Sequence, residues 1–366
     1  MAITKIPAAG FTGNNFRNII INGDMSLAQR STSVTGITSG GYKTVDRFPL
    51  NLDLGTWTQS QSTDVPTGQG FAKSFKMDCT TANASPSAAI LAAVRTKIEG
   101  QNLQYLKKGT ASAESTTLSF WVKSNKTGTY ICELIDNDNS RQISQAYTIS
   151  SASTWEKKTI TFDGDTTGAF GNDNGASLEL HFWLGAGSNY TSGTLSTTWT
   201  SITTANRAVG QVNLADSTSN EWYVTGVQLE AGTAASDFEF LPHDVNLDRC
   251  ERYFKIVLRS TGGDTTICNG AMYDGSQFFG TFEIGKGMRA IPTMSATSGT
   301  NFYGVVGNSA TYSFNSLTFG GISNAGTSKC RIYVNSVSGK SQGHAVWIRF
   351  KDASSTADFI SASSEL

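Results

Sequence analysis

Apolar and polar residues alternate with period two through five stretches of the chain: 118–124 (LSFWVKS), 130–135 (YICELI), 157–162 (KKTITF), 178–184 (LELHFWL) and 221–230 (EWYVTGVQLE). Alternation with that period places successive side chains on opposite faces of a strand. Between the stretches lie segments such as SNKTG, DNDNS and DGDTTGAFGNDNG, rich in the residues that tolerate or promote turns. Short strands punctuated by such turns predict an all-β fold, a jelly-roll β-sandwich. Helical periodicity is confined to two places. An Ala-rich stretch over 88–106, broken at Gly100, predicts one helix, and Leu247, Cys250 and Phe254 predict another over 246–254. The chain divides on this pattern into three parts: a short N-terminal segment at 1–50, the densest strands at 51–242, and a C-terminal β domain, sandwich-like, at 243–366.

Composition narrows the function. The 366 residues carry 28 Lys+Arg and 29 Asp+Glu, a formal net charge of -1. A near-neutral chain lacks the positive field that draws polyanions, so neither nucleic acid nor an anionic membrane is expected as a partner. No apolar run approaches the ~20 residues that cross a bilayer, and the first residues lack the layout of a secretory signal. Only 16% of residues are charged, while 10% are aromatic, which leaves a hydroxyl-rich surface over a packed core. Five scattered cysteines (79, 132, 250, 268, 330) form no C-x-x-C pair and read as reduced thiols.

The run NIIINGDMSLAQRSTS (18–33) with YKTVDRF (42–48) after it resembles the opening of bacteriophage and prophage tail-fibre proteins. The segments LSFWVKSNKTGTY, TWEKKTITFDGDTTG, LELHFWLGAGSNYTSGTL and NEWYVTGVQLEAGT resemble the carbohydrate-binding-module-like jelly roll of those proteins. LDRCERYFKI (247–256) and GMRAIPT (287–293) resemble segments C-terminal to that jelly roll in the same proteins. The resemblance implies a non-enzymatic virion structural protein, homotrimeric and localised to the virion. It implies attachment to other virion proteins through residues 1–50 and to host-cell polysaccharide through the domains beyond. A capsid-decoration or tail-connector protein without ligand is the alternative, and a polysaccharide-degrading tailspike is another.

Strand phase selects candidate ligand residues. Trp121 falls opposite Leu118, Phe120 and Val122; Glu179, His181 and Trp183 fall opposite Leu178, Leu180 and Phe182; Trp222 falls with Gln228 and Glu230, opposite Tyr223, Val227 and Leu229. Trp155 and Trp347 share the polar phase of their own segments. Large aromatics on a polar face need something to cover them: a sugar ring stacked on indole, or a loop, domain or partner chain. Asp163, Asp165 and Asp173 offer oxygens for calcium, although the loop lacks the EF-hand spacing; no other cofactor is expected. His181, His243 and His344 lie too far apart for zinc. No nucleophile elbow, zincin or P-loop motif occurs. Glu133 and Glu179 are the acids a glycosidase reading would use.

Overall fold

In the computed structural model, residues 16–260, 264–307, 310–320, 328–351 and 358–366 are described. The first fifteen positions of the expected attachment segment lie outside them. The chain divides into two units, one running through Asn246 and the other spanning Leu247–Glu365. The fold is all-β, as the alternation predicts.

The first unit is a sandwich of two six-stranded antiparallel sheets. One has the order β1 (Ser33–Ile37), β3 (Thr56–Ser62), β4 (Ser74–Thr81), β12 (Glu221–Ala231), β6 (Thr116–Ser124), β9 (Glu156–Phe162). The other has the order β11 (Thr200–Ser201), β8 (Arg141–Ile149), β7 (Gly128–Asp136), β10 (Ala176–Ala186), β5 (Leu91–Glu99), β2 (Leu50–Leu52). The inward phases meet in one core: Phe75 and Met77 of β4, Leu118, Phe120 and Val122 of β6, Leu180 and Phe182 of β10.

Residues 16–50 belong to this sandwich and do not form a separate segment. Ile19, Ile20 and Met25 are buried in the same core. The Ile19 amide donates to the Leu229 carbonyl at 2.9 Å and the Val227 amide to the Gly23 carbonyl at 2.8 Å, so residues 18–23 run beside the second half of β12. β1 and β2 then extend the two sheets. Segment 88–106 is also not a helix. It supplies β5 and two short 3-10 turns, because β5 sits between β10 and β2, where Ala92 and Val94 face one core and Leu91 and Ala93 another. Burial on both faces overrides the helix preference of alanine.

β12 contains the feature that most affects the site. Thr225 pairs with Trp121 and Gln228 with Ser119, so three steps on β12 oppose two on β6. Gly226, at φ +62°, takes the left-handed conformation that such a bulge favours. The extra residue reverses the strand's phase: Trp222 and Val224 point inward before it, Val227 and Leu229 after it.

A helix (His243–Glu251) begins just after Pro242, three residues before the expected start, and ends before Phe254, which opens the next strand. The second unit has a three-stranded sheet, β13 (Phe254–Arg259), β22 (Phe359–Ser363), β16 (Thr293–Ala296). Its seven-stranded sheet has the order β18 (Ala310–Phe314), β17 (Tyr303–Gly307), β21 (Ala345–Phe350), β14 (Thr266–Met272), β15 (Phe278–Glu283), β20 (Lys329–Val334), β19 (Thr318–Gly320). Ile348, Phe350, Ile332 and Ile360 share its core.

Candidate functional site

The outer faces of the two sheets of the first unit differ in what covers them. On the sheet containing β10, the outward residues Glu179, His181 and Trp183 stand together as the alternation predicts, but they are sealed. Trp183 is 1% exposed and packs with Leu91, Ala93, Ile131 and Ala208, with Tyr190 and Leu195 alongside. Its indole Nε1 donates to Glu133 Oε2 at 3.0 Å. Arg207 lies over the indole at 5.2 Å and makes two 2.9 Å bonds to Glu133. Residues of the 187–213 segment thus take the place of a sugar over this indole.

Glu179 and His181 are equally committed. His181 Nε2 donates to Glu179 Oε2 at 2.9 Å, and Arg95 and Lys97 stand 3.5 and 3.7 Å from the same carboxylate. Burial pushes the Glu179 carboxyl up, but the His181 bond and the charges of His181, Lys97 and Arg95 overcome it and hold the pKa at about 2. Glu133 is 0% exposed. Neither Glu133 nor Glu179 faces an open cleft.

Trp222 is also withdrawn from the candidate surface. It is 0% exposed and packs on Phe75 and Phe182 in the sandwich core. Period-two counting places it with Gln228 and Glu230; the bulge at Gly226 reverses the parity between them.

On the outer face of the sheet containing β6, Ser119, Lys123, Thr225 and Gln228 are buried, while Trp121 is only half-buried. Trp121 lines a depression of about 340 Å³ together with Phe71, Phe238, Phe240, Ser119, Gln69, Lys157 and Asp237. The three phenylalanines hold one another with ring centroids 4.8 to 5.1 Å apart, and Phe240 is 50% exposed. Gly226 forms part of the lining, and a Cβ there would stand 2.6 Å from Phe71. The bulge that turns Trp222 inward therefore also makes room for Phe71. One row further along the sheet, Lys123 lies over the ring of Tyr223 at 4.4 Å and of Trp155 at 5.6 Å. Trp155 Nε1 donates to Asp64 at 2.9 Å, and Asp64 also accepts from Lys123.

An indole and phenyl rings with amide, hydroxyl, ammonium and carboxylate groups around them are suited to an amphipathic ring: CH faces stack, and the rim bonds hydroxyls. Sequence phase finds Trp121 but misses Phe71, Phe238 and Phe240, which sit in connecting segments. The one signal is local: Phe238 and Phe240 flank Glu239 in the alternation FEF, a strand-like phase within a turn-rich stretch.

The three aspartates expected to hold calcium are used in other ways. Asp165 is bound by Arg141 at 2.6 and 3.0 Å and by Lys108 at 3.0 Å. Burial raises its pKa, and those cations bring it below the usual carboxylate range. Lys108 Nζ also reaches Asp136 at 2.6 Å and the carbonyls of Thr167 and Gly168 at 2.8 Å each, so an ammonium occupies the oxygen-rich position. The Asp163 carbonyl accepts from Trp199, and Asp173 closes a turn through the Gly175 amide. Among the described residues no group of three or more His, Cys, Asp or Glu is arranged to hold a metal. In the second unit, Trp347 lies on the outer phase of β21 and is 40% exposed.

No family model matches the chain, and no curated protein matches it. Among solved structures it is similar to the enzymatically active domain of tailspike protein 4 of bacteriophage CBA120, at 16% identity and TM-score 0.31 over 59% of this chain and 22% of that one. It is also similar to a putative sugar binding protein from Bacteroides thetaiotaomicron, at 11% identity and TM-score 0.32 over 58% of this chain and 99% of that one. A third is a family 11 carbohydrate-binding module from Clostridium thermocellum in complex with a mixed-linked tetrasaccharide, at 11% identity and TM-score 0.25 over 58% of this chain and 94% of that one. The chain thus spans about a fifth of the tailspike domain. At such TM-scores these likenesses decide nothing about the function of this chain.

Proposed function

We propose that this chain is a non-enzymatic appendage protein of a phage particle, which holds host-surface glycan in the depression beside Trp121. The observation that carries the proposal is the aromatic lining itself: one indole and three phenyl rings converge on an open, polar-rimmed depression of about 340 Å³. Exposed aromatics are costly in water, and Phe240 is half exposed. The likeness of the opening run and the strand motifs to phage tail fibres supplies the virion setting. The non-enzymatic reading is supported by the state of Glu133 and Glu179, both buried and bonded to cations. In a homotrimer, three shallow sites would bind a repetitive polysaccharide with avidity, so millimolar single-site affinity suffices.

The test is binding of host-surface polysaccharide by the full chain, with Trp121→Ala and Phe240→Ala variants. Both are expected to weaken binding about 5- to 30-fold, since one stacked aromatic contributes about 1–2 kcal/mol, with little change in melting temperature. The purified chain is also expected to block adsorption of its phage. Unchanged binding in both variants, or a folded chain that neither binds nor blocks, would overturn the proposal. A connector role without ligand is favoured by one observation: Trp183 and Trp222 are consumed by contacts within the unit.

A further inference from the structure

We infer that the depression beside Trp121 selects an acidic glycan, one whose sugars carry carboxylates, and that Lys157 is the residue that meets the anion. This rests on the glycan reading above and adds the ligand's charge class.

Lysines are frequent on and around this sheet, and nearly all are already paired. Lys76 holds Glu221 at 2.8 Å, Lys126 holds Asp216 at 2.6 Å, Lys158 holds Glu156 at 2.5 Å, and Lys123 is bonded to Asp64. Lys157 differs: it is exposed, makes no ion pair among the described residues, and is the one cation among them lining the depression. Its position is fixed by the sheet, since Lys157 on β9 pairs in register with Trp121 on β6. Cross-strand neighbours on one face lie about 5 Å apart at Cβ, so a ring stacked on the indole has its substituents within reach of the ammonium.

A neutral sugar stacked on Trp121 leaves that ammonium with water as its partner. A carboxylate on the stacked sugar gives that ammonium a partner, with part of the water displaced by the ring. Asp237 lines the same depression and is exposed. Arg17 bonds the Asp237 carbonyl at 2.9 Å, which places a positive group next to it. The Asp237 carboxylate is suited to accept sugar hydroxyls, as are the groups of Gln69 and Ser119. The resulting polarity is directional: acid group toward Lys157, hydroxyls toward Asp237.

The experiment uses the full chain and three acidic polysaccharides (polygalacturonate, alginate and hyaluronate), each beside its carboxyl-reduced form, which keeps the linkage and ring but loses the charge. At least one acidic member is expected to bind, its reduced form a few-fold more weakly, and to lose affinity as salt is raised. Lys157→Gln is expected to bring the acidic ligand down to the level of the reduced one, and Lys157→Arg to keep most of the affinity. Equal binding of acidic and reduced forms, or full binding by Lys157→Gln, overturns the acidic-glycan inference and leaves the glycan reading standing. Absence of binding by any member, acidic or reduced, overturns both.

Discussion

Lys108 ties Asp136, Asp165 and the 167–168 backbone together, and removing it should cost the first unit much of its stability. The ammonium contacts four oxygens at 2.6 to 3.0 Å, two from Asp136 and Asp165 and two from backbone carbonyls, and its side chain is 4% exposed. In Lys108→Met the stem is matched in size, but the ammonium that lies 5.2 and 5.6 Å from the rings of Phe170 and Trp199 is gone. Asp165 keeps Arg141, but Asp136, 0% exposed, loses its cation and retains only bonds from the amides of Asp138 and Asn139 and the Asn139 side chain. Breaking a buried pair by deleting one partner costs ~3–5 kcal/mol. For a unit of this size each kcal/mol corresponds to ~2–4 °C, so the melting temperature should fall by roughly 6–20 °C. Scanning calorimetry or near-UV circular dichroism measures this directly. The control is Lys107→Met, which removes the same charge one residue away from a side chain 53% exposed and paired with Glu114; an exposed pair is worth less than about 1 kcal/mol. Equal shifts for the two variants, or less than about 2 °C for Lys108→Met, would refute the reasoning.

Glu179 has its pKa depressed to about 2 from an ordinary 4.5, so its contribution is complete above pH 4.5 and disappears as pH falls toward 2. The shift corresponds to about 3 kcal/mol; between about pH 6 and pH 3 the wild-type melting temperature should fall further than that of Glu179→Gln, and parallel curves would contradict this. Gly226→Ala puts a Cβ at φ +62° and 2.6 Å from the Phe71 ring. A left-handed alanine and a displaced ring together should cost about 2–4 kcal/mol and weaken glycan binding as well, since Phe71 lines the depression; a variant with wild-type melting and binding would show that the bulge does not need glycine.

The strands can be read from the chain because alternation is a local property. The five alternating stretches become β6, β7, β9, β10 and β12 with ends shifted by a few residues at most. Where local preference meets a tertiary demand, it fails: the alanines of 88–106 suit a helix, yet β5 fills a slot between two strands. The N-terminal run escapes a local reading for a similar reason, since Ile19, Ile20 and Met25 are buried in a core built from the whole unit, and residues 19 and 23 bond to β12 some two hundred positions away.

Which face of each sheet is open cannot be found by counting. Inward or outward phase is a parity, and it survives only while the strand is regular; one extra residue at Gly226 moves Trp222 into the core. Outward phase is in turn no guarantee of exposure, since the 187–213 segment lies over Trp183 and leaves Trp121 untouched. The chain's alternation, turn chemistry and low charge were sufficient to determine an all-β sandwich with a hydroxyl-rich surface. The tertiary structure decided that the phenylalanines of two connecting segments gather beside Trp121, because contacts between distant segments depend on burial and not on the order of residues along any one strand.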